Sequence, residues 1–116
     1  MAFSGPIEDR LAIRELMDIY ADAVNQRDAE LWGSTWAEGS SWKLPVILGM
    51  ENVSGKENIV AAWNAGMAMF PFIFMSISVG DIQVDGDTAT ARAYTTEVGT
   101  TLDGTEIRPR GQYDDK

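Results

Sequence analysis

Histidine and cysteine are both absent from this sequence of 116 residues. Without cysteine, the chain can form neither a disulfide framework nor a thiolate metal site. Without histidine, it lacks the ordinary side chain for proton transfer near neutral pH, so any acid–base role must fall on a carboxylate or a tyrosine. The acidic residues lack the spacing of a calcium loop, and the glycines show no phosphate-binding pattern. We therefore expect neither a metal nor a cofactor.

Long apolar runs and an excess of positive charge are also missing. The longest candidate span, Met67 to Val79, is interrupted by Pro71 and falls short of the roughly 20 residues that cross a bilayer. The segment Met1 to Arg10 has no basic stretch followed by an apolar one, so no secretion signal is predicted. Eighteen acidic and nine basic side chains give a net charge of -9, which would repel nucleic acid and anionic membranes. These features favour a cytoplasmic protein without nucleic-acid or membrane partners.

The residues that are present predict a single folded domain over residues 1–116, because 45% of them are hydrophobic. Pro6 suits a first helical turn, and Asp28 has the side chain of an N-cap for a short second helix. The segment 25–27 ends the first helix. The apolar residues that recur at helical spacing in the first helix are Ile13, Leu16, Met17, Tyr20 and Val24.

Strand patterns begin at Ser40. Apolar and polar residues alternate from there to Val46, and Pro45 favours an edge position. Three more strands are predicted over residues 72–84, 88–99 and 106 to the end of the chain, with a bulge at Gly80. Turn pairs at residues 85–86 and 103–104 separate these strands.

A third helix is predicted between the first strand and the later three. Ser54 and Glu57 have the spacing of a capping box, and the helix should end before Pro71. Two short helices, a strand, a capped helix and an antiparallel meander define an α+β domain. Its helices should cover one face of a bent sheet.

Five segments, each common by itself, occur together in an informative order. They are LMDIYADAVNQRD at 16–28, WAE at 36–38, SGKENI at 54–59, VDGDTATARAY at 84–94 and GQYDD at 111–115. In this order they resemble the SnoaL-like branch of the nuclear transport factor 2-like superfamily. The resemblance covers roughly residue 7 to the end of the chain.

The resemblance implies a cone-shaped, cystatin-like α+β barrel, in which a strongly curved antiparallel or mixed sheet wraps the N-terminal helix. Such a cone encloses a deep, mostly apolar cavity, and family members often form homodimers through the outer face of the sheet. Relatives include scytalone dehydratase, ketosteroid isomerase and polyketide cyclases, beside members that only bind ligands or partners. Fold alone does not choose among these activities.

Two residues of the first helix are candidates for a site in this cavity. Tyr20 matches the position of an oxyanion-stabilising tyrosine in ketosteroid isomerase, and its alternative interpretation is a core tyrosine bound to backbone or water. Asn25 lies where scytalone dehydratase carries a catalytic aspartate. Its amide can hold a ligand, or it can simply end the helix.

The resemblance places the family's cavity histidines near Met75 and Asp114, and the isomerase's general base at Leu44. Asp114 is therefore the carboxylate that we predict to point into the cone and act as base, with an exposed acidic pair Asp114–Asp115 as the alternative. The residues expected to contact a ligand are Trp42, Met67, Phe74 and Met75, and their alternative interpretation is ordinary core.

Two functional hypotheses follow. The protein is a cofactor-independent dehydratase, isomerase or cyclase acting on a small apolar ring compound, or it is a ligand-binding or accessory domain that lost the catalytic histidines. Relatives continue beyond the motif at residues 113–115 into a further strand that is internal to the sheet. We therefore expect either that the sequence is incomplete after Lys116 or that a partner chain supplies that strand.

Overall fold

A computed structural model of the protein describes residues 3–44 and 52–116. Its long first helix, α1, spans Ile7–Gln26 and begins directly after Pro6, as predicted. Arg27 ends α1 in the left-handed conformation, with φ 56°. The short helix α2 spans Ala29–Gly33, and the Asp28 carboxylate accepts a hydrogen bond from the Leu31 N–H at 3.0 Å. The predicted N-cap at Asp28 is thereby confirmed.

Helix α3 spans Lys56–Met67, but the capping box predicted at its start was wrong. The residue preceding α3 is Gly55, which adopts φ 87° and offers no side-chain cap. Ser54 instead belongs to a strand and shares a hydrogen bond with the Ser41 hydroxyl at 3.2 Å. Ser54 thus pairs with a neighbouring strand and does not cap helix α3.

A long hairpin dominates the main sheet. Strand β4 spans Phe72–Asp85, strand β5 spans Thr88–Thr100, and the two pair in antiparallel fashion along their whole length. The register shifts between Val79 and Asp81, which confirms the bulge at Gly80. A Cβ on Gly80 would lie 2.9 Å from the ring of the exposed Tyr94 and would require that ring to shift.

Short strands flank the hairpin on both sides. Strand β1, Phe3–Ser4, pairs in parallel with β4 at Ile82 and Gln83, a strand that the sequence did not predict. The predicted last strand is divided into β6, Glu106–Ile107, and β7, Arg110–Asp115, which both pair with β5. The sheet formed within the described ranges is therefore mixed, and it is curved and unclosed.

A separate two-stranded ribbon joins β2, Ser41–Trp42, to β3, Val53–Ser54. Strand β2 confirms the start of the strand predicted from Ser40. The rest of that prediction, including the edge position of Pro45, falls on residues 45–51 and lies outside the described residues.

Helix α1 packs on the inner face of the sheet, as the α+β interpretation predicted. The buried residues of the main core are Ala23, Val24, Trp32, Ile59, Trp63, Ile73 and Met75. A second cluster joins Met17 of α1 to Ile82, Ala91 and Ala93 of the hairpin. Leu16, by contrast, is 43% exposed although its spacing placed it on the apolar face. Among the helices in the described residues, none is long and apolar enough to cross a membrane.

Candidate functional site

Two tyrosine hydroxyls meet inside the domain. Tyr20 lies on the buried side of α1, between Met17 and Val24, and Tyr113 lies on β7 opposite Ala93. The two hydroxyl oxygens are 2.9 Å apart, which is a hydrogen bond in which either can donate. Burial is the main cause that raises the pKa of both phenols, well above the ordinary value for Tyr20. Both side chains therefore stay protonated at neutral pH and remain hydrogen-bond donors.

A cluster of tryptophans lies next to this tyrosine pair. Trp32 is fully buried, with its ring centroid 5.5 Å from that of Tyr20 and 4.7 Å from the stacked ring of Trp63. Trp36 and Trp42 lie 5.6 and 5.5 Å from Trp32. Such distances are typical of favourable aromatic contacts. The tyrosine pair thus borders a cluster of flat, apolar rings through the contact of Tyr20 with Trp32.

The indole N–H groups of this cluster point to a polar interior. Those of Trp32, Trp36 and Trp42 are buried, and none of them meets hydrogen-bond geometry with a partner in residues 3–44 and 52–116. Beyond the larger effect of burial, the Trp32 indole lowers the pKa of Tyr20 and the Trp42 indole lowers that of Tyr113. These two indoles therefore lie beside the hydroxyls without meeting hydrogen-bond geometry.

Glu97 is a carboxyl group that the sequence analysis missed. The alternation of β5 places it on the inner face, in phase with the buried residues Ala93 and Thr95. Burial raises the pKa of Glu97, and its charge in turn contributes to raising the pKa of Tyr20 and Tyr113. A carboxyl group with a raised pKa thus lies on the same face of the sheet as Tyr113, and such a group can exchange a proton more readily near neutral pH than an ordinary carboxyl group.

A second carboxyl group with a raised pKa lies on β7 at Asp115, which is exposed like its neighbour Asp114. Asp115 is opposite Ala91 in the register, and its pKa is raised by burial and by the charge of Asp114. The only signal for Glu97 and Asp115 in the sequence was strand alternation. That signal does not by itself reveal which of the two faces is the inner one.

Asn25 is positioned by α1 against the outer edge of β4. Its side-chain nitrogen donates to the Met75 carbonyl at 3.0 Å, and its side-chain oxygen accepts from the Met75 N–H at 2.7 Å. The amide therefore makes the two bonds that a neighbouring strand would make. Because the nitrogen and the oxygen of the side-chain amide are both hydrogen-bonded to Met75, Asn25 connects helix α1 to strand β4.

Asp114 does not point into the cone. It is exposed and its carboxylate accepts from the Gln112 side-chain nitrogen at 3.1 and 3.2 Å. Tyr113 occupies the inner face, and adjacent residues of a strand point to opposite faces. We predicted that Asp114 would point into the cone, but it is the preceding residue, Tyr113, that does so. The structure therefore does not bring Asp114 together with Tyr20.

Of the four residues expected to contact a ligand, three are buried or half-buried and one is exposed. Met75 is buried on the inner face, and Trp42 and Met67 are half-buried against the main core. Phe74 is 50% exposed on the outer face, because it alternates with Ile73 and Met75. The interpretation of Phe74 as an inward-facing residue was therefore wrong.

Two open surface depressions lie away from the tyrosine pair. One is lined by residues around the β4–β5 turn, including Asp85 and Thr88, and by Lys116. The other lies between Phe70 and the loop that contains Leu102. Within residues 3–44 and 52–116, no group of three or more Asp and Glu side chains converges in a way that could hold a metal ion.

Comparison with known proteins identifies the family. The SnoaL-like domain matches residues 6–116, nearly the whole sequence, and the chain belongs to this family. No curated protein matches the chain. The fold and the family inferred from the five sequence segments are both confirmed.

Solved structures show the same fold. A protein of Novosphingobium aromaticivorans, provisionally described as an aromatic ring hydroxylase, is 29% identical, with a TM-score of 0.85 over 96% of this chain and 78% of the other. A second protein of that organism, provisionally described as a scytalone dehydratase, is 15% identical, with a TM-score of 0.78 over 94% and 72%. A ketosteroid isomerase-like protein of Erwinia carotovora atroseptica is 19% identical, with a TM-score of 0.78 over 92% and 81%. The chain thus shares its fold with proteins described as dehydratase and isomerase relatives.

Proposed function

We propose that the protein binds a small ring compound in the interior of the cone and acts on it as a cofactor-independent lyase or isomerase. The observation that carries this proposal is the hydrogen-bonded hydroxyl pair of Tyr20 and Tyr113, with the carboxyl group of Glu97 on the same inner face of the sheet as Tyr113. The descriptions of the dehydratase-like and isomerase-like neighbours agree with this class of reaction.

The tyrosine pair supplies the electrophilic part of such a reaction. A phenol O–H that donates to a substrate carbonyl stabilises the negative charge that develops on its oxygen when an adjacent C–H bond is broken. Partial burial beside the Trp32 ring lowers the local dielectric constant and strengthens this interaction relative to bulk water. Loss of one such donor typically costs about 3 kcal/mol of transition-state stabilisation.

Glu97 supplies the basic part. In its ionised form the carboxylate accepts the proton, and the carboxylic acid then returns that proton to a different atom or to a leaving hydroxyl. Burial raises the pKa of Glu97, which makes its carboxylate a stronger base than an exposed one. Glu97 therefore replaces Asp114 in the role of base.

A ligand-binding domain without catalysis is the second candidate, and two observations favour it. The amide of Asn25 is engaged by the Met75 backbone, and Asp114 is exposed on the outer face. A binding protein needs the aromatic enclosure and a hydrogen-bond donor, but it does not need a base.

Variants of the three central residues test the proposal. Small ring ketones are first screened by thermal shift, since a bound ligand raises apparent stability. Turnover of any ligand found is then followed by NMR for wild type and for Tyr20→Phe, Tyr113→Phe and Glu97→Gln. We expect losses of at least tenfold for Tyr20→Phe and for Glu97→Gln, with Tyr94→Phe, an exposed tyrosine, as the matched control. Binding without turnover in wild type would support the second candidate.

We also propose that the protein forms a homodimer through the outer face of the sheet. Phe72, Phe74 and Tyr94 are 52%, 50% and 45% exposed there, and large exposed aromatics on one face favour association. Light scattering should give twice the monomer mass for wild type and the monomer mass for Phe74→Asp. A monomeric wild type at micromolar concentration would contradict this proposal.

A further inference from the structure

Two Asp–Gly pairs lie at turns of the main sheet. Asp85 ends β4 and Gly86 follows it in the turn to β5, and Asp103 and Gly104 lie between β5 and β6. All four residues are exposed. Both glycines have positive φ, 60° and 85°, and a Cβ on either would meet no atom within 4 Å in the described part of the chain. The two pairs are therefore matched in sequence, exposure and the space around the glycine.

An Asp–Gly pair can rearrange without an enzyme. The glycine nitrogen attacks the carboxyl carbon of the aspartate side chain, and the carboxyl hydroxyl leaves as water together with the N–H proton. Water then adds to either carbonyl of the resulting succinimide ring, which gives aspartate again or isoaspartate of the same mass. Glycine favours the attack because it has no Cβ in the way, and the reaction is intramolecular.

Hydrogen bonds restrain both reacting groups of the second pair. The Asp103 carboxylate accepts from the Thr101 hydroxyl and from the Thr105 N–H, the latter at 3.0 Å. These bonds, that of Thr101 above all, lower the pKa of Asp103 from 3.8 to about 2. The neutral carboxyl group, which supplies the leaving hydroxyl, is therefore rarer than in an ordinary aspartate. The Gly104 N–H is also engaged, since it donates to the Thr101 carbonyl at 3.0 Å.

The first pair has no such restraint. Within residues 3–44 and 52–116, the Asp85 carboxylate accepts no hydrogen bond and the Gly86 N–H donates none. Asp85 also lines a depression that is open to solvent, so water reaches its carboxyl group. We infer that Asp85 is a site of isoaspartate formation in the folded protein, and that the same dipeptide at Asp103 is protected by the hydrogen bonds of its turn.

The product changes the end of the hairpin. In isoaspartate the main chain runs through the side chain, so it becomes one carbon longer between Val84 and Gly86. This shifts residue 85 relative to Thr88, its partner in the β4–β5 register. The modification therefore disturbs the terminal pair of the longest ladder in the sheet.

Peptide mapping of the aged protein measures both sites. The full chain is incubated at mildly acidic pH, and trypsin releases the two pairs in separate peptides, residues 57–92 and 93–110. Mass spectrometry with electron-transfer fragmentation then distinguishes isoaspartate from aspartate. We expect isoaspartate to form at least about tenfold faster at Asp85 than at Asp103, because the neutral form of Asp103 is depleted by more than this factor. Synthetic peptides of residues 81–90 and 99–108 are the control, and they should react at similar rates.

Replacement of Thr101 tests the protection. Thr101→Val removes the hydroxyl that donates to Asp103, so isoaspartate should form there several-fold faster while the rate at Asp85 stays unchanged. Thr96→Val, at an exposed threonine of β5, is the matched control and should change neither rate.

A second pair of variants does not depend on the stability of Thr101→Val. In Asp85→Asn and Asp103→Asn the leaving group is ammonia, and the amide oxygen at residue 103 can still accept the hydrogen bonds of its turn. Asp85→Asn should therefore deamidate at least about tenfold faster than Asp103→Asn, as followed by intact mass.

The opposing outcomes are specific. Equal rates at the two sites of the folded chain, or an Asp85 that stays intact while its peptide isomerises, would overturn the inference. A rate at Asp103 that Thr101→Val leaves unchanged would refute protection by the turn. The proposed function is independent of each of these results, because neither turn contacts the tyrosine pair in the described residues.

Discussion

The two hydrogen bonds between Asn25 and the backbone of Met75 give the sharpest test of the structure. Replacement of Asn25 by alanine deletes both bonds and leaves one N–H and one C=O of a buried residue without their partner. A buried polar group without a partner costs about 1–3 kcal/mol. Because Asn25 itself is only half-buried, water can reach part of the space that its amide vacates. We therefore expect Asn25→Ala to lose about 2–4 kcal/mol, a large part of the roughly 5–15 kcal/mol that stabilises a typical domain.

The variant Asn25→Asp tests the two hydrogen bonds separately, because it keeps the side-chain acceptor and removes the side-chain donor. The introduced carboxylate still accepts from the Met75 N–H, but it presents an oxygen, instead of a donor, to the Met75 carbonyl. On protonation the carboxyl group regains a donor and reproduces the pattern of the amide. Its pKa is thus raised in the folded state, so the stabilisation is complete below the unfolded pKa of about 3.9 and is lost as pH rises through the folded pKa.

Urea denaturation between pH 3 and pH 8, followed by tryptophan fluorescence, measures both effects. Asn58→Ala is the control, because Asn58 is an exposed amide with a single hydrogen bond, to the Ser54 carbonyl, and should lose less than about 1 kcal/mol. A loss below about 1 kcal/mol for Asn25→Ala would refute the role of Asn25. An Asn25→Asp variant with the same pH dependence as wild type would refute the explanation in terms of donor and acceptor.

Three further predictions concern stability. Burial raises the pKa of Glu97 from 4.5, so its contribution to stability is complete below pH 4.5 and is lost as pH rises through the folded pKa. Glu97→Gln should therefore gain stability relative to wild type as pH increases in thermal melts, and a constant difference would contradict this. Asp28→Ala removes the cap on the Leu31 N–H and should cost about 1 kcal/mol in urea, whereas Asp28→Asn should retain most of it. Gly5→Ala should cost about 1–3 kcal/mol, because Gly5 has φ 96° and a Cβ there would lie 2.7 Å from the Val84 Cβ; an unchanged melting temperature would exclude this strain.

Most of the fold could be predicted because its main elements are long and periodic. The apolar spacing in α1 and the alternation in β4 and β5 extend over 20, 14 and 13 residues. Strands β1 and β3 were missed because two residues contain no period to detect. The capping-box pattern at Ser54 failed because strand pairing with Ser41 used that residue first. A local sequence pattern does not reveal which distant segment will pair with a given residue.

The site was predicted less completely than the fold. Tyr20 was proposed because the family resemblance matches it to the oxyanion-stabilising tyrosine of ketosteroid isomerase, and its helical spacing agreed with an inward position. Asp114 and Phe74 were assigned to the wrong face, since an offset of one residue in a strand reverses the direction of every side chain. Glu97 was missed because polar residues occupy both faces of β5 next to it. Thr95 lies on the same face as Glu97, and Thr96 lies on the opposite face. Only the packing of α1 reveals which face is inside.

The engagement of Asn25 has a consequence for aggregation. The first part of β4, FIFMSIS, is rich in β-forming residues, and Met75 lies in its middle. An exposed edge of such a strand is a template onto which another chain can add. The amide of Asn25 occupies the N–H and C=O that an incoming strand would need at this point. A single side chain thereby blocks one point of this strand edge where no neighbouring strand covers it.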